Sequence, residues 1–235
     1  VWLTLPELRP ALRLFHLHLN TLGFIGLAAL GTLPVLLPTT LGRPEPGAAD
    51  LLLSDLPVAV IGVILVAGGT ASMVWLAVIG ALLLAWVVAR NLIAWQRAFG
   101  LHAIVGAGQT ASLAAAALGF AVLLLLGGVH AMGGIAARPA LPGYVAMFLL
   151  PLVTGALSHL LPVWRYPGVA TSRRAAMMQG LARGGQWRAL LFLCGGLLLA
   201  FDVAIGLLFA AAGLALFAIA IMRVFWLDRA GASDD

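Results

Sequence analysis

Apolar runs of roughly 18 residues or more recur along this chain, separated by short clusters of Gly, Pro, Ser and Arg. Each run is long enough to cross a hydrocarbon core about 30 Å thick as a helix. The punctuation predicts helices at about 11–38, 52–68, 71–95, 101–127, 141–163, 187–202 and 204–226. Short strands with period-two alternation are absent from the pattern, which argues against a lipid-facing barrel. The expected fold is all-α: a polytopic transmembrane helix bundle of about seven spans, forming one domain over residues 1–235. Two boundaries are soft. The stretch "AGGTAS" near residue 70 and the residue Asp202 each read either as a tight interfacial turn or as a break inside a longer helix. Length favours turns, since residues 187–226 are too many for one ordinary span.

Composition agrees with a membrane protein. Of 235 residues, 63% are hydrophobic and 9% charged, against about 25% charged in soluble domains, and the mean hydropathy is +1.11. All thirteen basic residues are arginine, and eight carboxylates leave a net charge of +5. No basic stripe interleaved with aromatics appears, so the expected partner is the lipid bilayer and not nucleic acid.

With seven crossings, Arg43, Arg90, Arg97, Arg165, Arg173, Arg174, Arg183, Arg188, Arg223 and Arg229 fall on one side, and Arg9, Arg13 and Arg138 on the other. This bias predicts an N-terminus outside and a C-terminus in the cytoplasm, in the cell inner (plasma) membrane. The chain starts at Val1 without the basic-then-apolar order of a signal peptide. An outside start therefore fits a fragment, or the membrane part of a longer chain. The arginines of the longest cytoplasmic loop, 165–188, read mainly as topology determinants, with anionic headgroups as the other reading.

The candidate chemistry is sparse. Cys194 is the only cysteine and can form no internal disulfide, and there is no CxxC or CxxCH motif. No GxSxG, P-loop or GxGxxG occurs, so no soluble-enzyme signature is present. Trp2, Trp95, Trp164, Trp187 and Trp226 fall at expected span ends, as interfacial anchors do. Asp202 is the one carboxylate read as flanked by apolar sequence on both sides, in "LLLAFDVAIG", and most simply caps the next helix at an outer turn.

The histidines sort into two layers. His16, His18 and His130 are expected near the outer surface, and His102 and His159 near the inner one. All five are candidate metal ligands, because intramembrane ionisable groups are functional by default. A helix turns about 100° per residue, so His16 and His18 point to nearly opposite sides and do not both ligate one metal. His16 shares its side with Asn20 and Gly23, small or polar groups suited to helix contact, which favours His16 as the interior-facing ligand.

The stretch "GTLPVLLP" at 31–38 is echoed by "GALSHLLP" at 155–162. More specifically, "HLHLNTLGFIGLAALGTLPVLLPTTLGR" (16–43) resembles the NnrS family of haem- and copper-containing membrane proteins linked to nitric oxide stress, on His16, His18, Gly23, Phe24, Gly31, Pro38, Gly42 and Arg43. An H-x-H helix ending in L-P-x-x-x-G is also similar to subunit I of haem–copper oxidases. "HAIVGAGQTASL" (102–113) is similar to a further NnrS segment and adds weight to His102. The resemblance covers about 40 residues. Leu19 stands where NnrS has glutamate, and the chain has no adjacent His-His pair.

The resemblance implies a b-type haem held in the bundle by His16 or His18 and by His130, with copper as a second metal, serving nitric oxide response or electron transfer. Two other classes stay open. One is a non-catalytic membrane anchor or subunit of a larger redox complex. The other is a small-solute transporter built on Asp202 and the weak repeat, for which broken helices near mid-membrane are missing.

Overall fold

A computed structural model describes residues 8–43, 45, 47–134, 140–168 and 171–231, all-helical apart from turns. Arg138 and Trp2 lie outside the described residues, as does the side chain of Arg229. Among the described residues nine helices follow in order: α1 (Arg9–Thr40), α2 (Ala48–Ala71), α3 (Val74–Phe99), α4 (Leu101–Gly106), α5 (Gly108–Ala131), α6 (Leu141–Arg165), α7 (Ser172–Ala182), α8 (Gly185–Ala200) and α9 (Gly206–Gly231). Six are long and apolar enough to cross a membrane: α1, α2, α3, α5, α6 and residues Gly206–Asp228 of α9. The expected helix at 187–202 is α8, whose 16 residues give about 24 Å of rise. The expected span 101–127 is two helices, because Ala107 is extended and separates α4 from α5. His102 therefore sits on a six-residue helix of its own.

The helices group into two compact units. The first comprises residues Val1–Pro38, Pro44–Ala94 and Phe120–Ala137. Here α1 lies against α2, with Gly23 meeting Val63 and Gly26 meeting the Phe120 ring. Residues Leu19–Leu27 of α1 are wound as a π-helix. The turn expected near residue 70 is real: Ser72 leaves helical geometry, and α2 and α3 fold back on each other. Their backbones touch where a side chain would not fit, since a Cβ on Gly80 would lie 2.7 Å from the Val66 amide nitrogen. In lipid such small-residue contact replaces the hydrophobic drive that water supplies elsewhere.

The second unit comprises Thr39–Arg43, Trp95–Gly119 and Arg138–Asp235. α8 runs antiparallel to α6: Gly143, early in α6, lies against Gly196 and Ala200 late in α8, while Ser158, late in α6, meets Arg188 early in α8. α8 and α9 form a hairpin. Its turn is a Schellman motif, with the Val203 amide donating to the Leu198 carbonyl and the Asp202 amide to that of Leu199, both at 2.9 Å. Asp202 holds the left-handed position at φ +62°, where glycine is usual, and is exposed. It belongs to a turn and not to a helix interior. Its backbone closes the end of the preceding helix.

The tryptophans divide. Trp164, Trp187 and Trp226 are exposed at helix ends, as anchors should be, but Trp95 is buried. The echo of 31–38 by 155–162 does not carry a shared packing role. A Cβ on Gly31 would meet open space, whereas one on Gly155 would lie 3.0 Å from Ser112 Cβ.

Candidate functional site

The first unit holds three of the five histidines. His16 is exposed, and only its backbone carbonyl is engaged in a described bond, by the Asn20 amide at 2.9 Å. His18 is partly buried against α2. Gly23 meets α2 as expected, but His18 and not His16 is turned to that helix. The reason is local: the π-helical winding from Leu19 breaks the register of about 100° per residue between His16 and Gly23, and Asn20 satisfies itself on its own helix.

The geometry of His18 fixes its chemistry. Its Nδ1 lies 2.8 Å from the Leu14 carbonyl oxygen. A carbonyl only accepts, so in the neutral ring Nδ1 carries the proton and Nε2 the lone pair. Thr70 reinforces this: its hydroxyl donates to the Ala67 carbonyl at 3.1 Å and presents a lone pair to Nδ1 at 3.3 Å. A metal-ligating imidazole is held in this way, one nitrogen on a backbone carbonyl and the other aimed at the metal. The π-helical stretch opens at the next residue, Leu19, and such windings are frequent at functional sites. His130, the last His of α5, is exposed and belongs to the same unit.

The same unit contains a polar cluster that sequence reasoning missed. Asp55 is 3% exposed, inside α2. Arg90 Nη1 reaches its Oδ1 at 2.7 Å and Asn91 Nδ2 its Oδ2 at 3.3 Å. Asn91 Nδ2 also donates to the Val87 carbonyl at 3.0 Å, while Asn91 Oδ1 is buried without a hydrogen-bond partner. A cavity lined by Asp55, Asn91, Leu30, Gly31 and Pro34 adjoins the cluster, with room for one water-sized guest. Pro34 has no N–H for the carbonyl of Leu30, so another acceptor borders this space. The signal was available in "LLLSDLPVAV" and "WVVARNLIAW", where Ser54-Asp55 and Arg90-Asn91 are polar pairs inside otherwise apolar runs.

In the second unit, His102 is exposed on α4. His159 is partly buried on α6, and its Nδ1 has no hydrogen-bond partner. Its neighbour Ser158 accepts from Arg188 Nη2 at 3.3 Å. Arg188, expected among loop arginines, is fully buried. Its Nη2 also donates to the Leu181 carbonyl at 3.0 Å and its Nη1 to that of Arg183 at 3.2 Å. The guanidinium carbon sits 5.1 Å from the Phe217 ring centre. The two carbonyls belong to the C-terminal end of α7, where the helix dipole is negative. That end, with the Phe217 face, takes the place of a carboxylate.

A second polar row in this unit joins Gln109, whose Nε2 donates to the Thr40 carbonyl at 3.1 Å, and Thr40, whose hydroxyl lies 3.0 Å from that of Thr110. It falls in the "GAGQTASL" stretch, and its visible work is helix contact.

Among the described residues, no three His, Cys, Asp or Glu side chains converge as a metal-holding group. This bears on the two metals differently. A copper ion draws its ligands from the protein, whereas a haem iron already has four nitrogens from its porphyrin and needs one or two imidazoles. The conformation of His18 fits the second requirement. Comparison with protein-family models, with curated proteins and with solved structures finds no match.

Proposed function

We propose that this chain is a haem-binding protein of the cell inner membrane, with His18 as an axial ligand through Nε2. The observation that carries the reading is the bond from Nδ1 to the Leu14 carbonyl, which leaves Nε2 as the ligating atom. His130, in the same unit, is the candidate second ligand, and copper has less support than haem. Seven crossings, N-terminus outside and C-terminus cytoplasmic, suit the arginine bias. The antiparallel course of α8 beside α6 supports counting α8 as a crossing despite its length, because the two share one thickness from Gly143 to Ser158. Under this topology α1 begins and α5 ends on the outer side, which brings His18 and His130 to one layer.

Haem supplies one-electron transfer or binding of a diatomic gas, depending on whether both axial positions are filled. His18 with His130 gives electron transfer; His18 alone leaves a position for nitric oxide. The test is a reduced-minus-oxidised absorption spectrum of detergent-purified protein, expressed with haem available. The expected result is a Soret band with sharp α and β bands, lost in His18→Ala and retained in His16→Ala. A colourless wild-type protein without stoichiometric iron overturns the reading and leaves the anchor or redox-subunit class in its place.

A further inference from the structure

We infer that the groove between α7 and the end of α9 is a binding site for the headgroup of an anionic phospholipid. The groove has a volume of about 340 Å³ and is lined by Arg173, Gln179 and Arg183 with Met177, Val224 and Leu227. α7 is held in place from beneath: Met177 and Leu181 are buried with Val224, and Arg188 fastens its last carbonyls. Along the groove edge it carries Arg173, Gln179 and Arg183, all exposed. Cations stand near both ends of the helix, with an amide between them and apolar carbon as the floor. That combination suits a phosphodiester with the start of an acyl chain.

Two further observations select a lipid over a soluble anion. Trp164, Trp187 and Trp226, exposed at the neighbouring ends of α6, α8 and α9, mark the level at which indole rings meet headgroups. The groove opens at that level, and Leu227 on its wall is itself more than half exposed. The one carboxylate in the lining, Asp228, does not oppose an anion. Arg165 reaches its Oδ2 at 3.2 Å, and the Tyr166 hydroxyl donates to its Oδ1. The site is independent of haem at His18, since it lies in the other unit.

The experiment is native mass spectrometry of the full chain released from mixed phosphatidylglycerol and phosphatidylcholine nanodiscs. Wild type is expected to retain phosphatidylglycerol in preference to phosphatidylcholine. Arg173→Gln with Arg183→Gln should reduce that retention by about fivefold per arginine. Arg43→Gln with Arg97→Gln, which removes two exposed arginines of the same unit outside the groove, should leave it nearly unchanged. Ala176→Phe, a groove-lining change without loss of charge, should also lower retention. Thermal unfolding in phosphatidylcholine alone confirms that each variant is folded. Equal losses in the two double-arginine variants, or no headgroup preference in wild type, would overturn the site and leave only diffuse attraction to arginine.

Discussion

The two units each bury an arginine contact inside a helix bundle, and they neutralise it in opposite ways. In the first, Arg90 meets a carboxylate: Asp55 is 4% exposed at its side chain, while Arg90 is 37% exposed. In the second, Arg188 is fully buried and meets carbonyls, a hydroxyl and a ring. An ion pair concentrates its counter-charge on one side chain, which one substitution removes. A helix terminus spreads it over backbone atoms, which no substitution removes. The first arrangement should therefore be fragile to loss of either member, the second only to loss of the arginine.

The largest expected effect is at the pair. Arg90→Leu leaves the Asp55 carboxylate buried without its cation and should cost about 3–5 kcal/mol, read as a fall in the midpoint of unfolding by detergent titration. Adding Asp55→Asn to that variant should recover most of the loss, because the uncompensated charge is gone. If the double variant is as unstable as the single one, the pair is not what holds α2 to α3. Next, Arg188→Met removes the donor from two carbonyls at the end of α7, at roughly 1–3 kcal/mol for each group left unpaired. Faster proteolysis within 166–184 should accompany it, since α7 loses its fastening.

Ser158→Ala should cost only about 1 kcal/mol, because Arg188 keeps both carbonyls. A loss as large as that of Arg188→Met would mean that Ser158, not the end of α7, is the main partner. The smallest effect is a gain. Asp202→Gly relieves a left-handed side chain but frees the unfolded chain, and should raise stability by about 0.5 kcal/mol, visible as a slightly higher unfolding temperature.

The long helices were legible because length and hydropathy alone define them, and so was the turn at Ser72, where "AGGTAS" interrupts the apolar run. What the sequence hid was pairing. Arg188 looked like a loop residue because it stands only three positions beyond Gly185; its burial depends on α7 returning over it, which no local pattern announces. Asp55 stands beside Ser54 and Pro57, which disguise it, and its pairing is with Arg90, 35 positions away. His18 shows the same limit. A turn of about 100° per residue separates it from His16, but which of them meets a neighbour depends on where α2 packs.

Arg188 also has a consequence for how the chain reaches its membrane. In the seven-crossing topology, α8 is a short insertion segment whose buried guanidinium lacks its ring partner until Phe217 arrives in α9. Its partners at Ser158, Leu181 and Arg183 have by then been synthesised, but the ring has not. The segment is a poor candidate for leaving the translocon alone. It and α9 must partition into lipid together, as one hairpin turning at Asp202, and a chain terminated shortly before Phe217 should stall at the step where the rest of the bundle is already integrated.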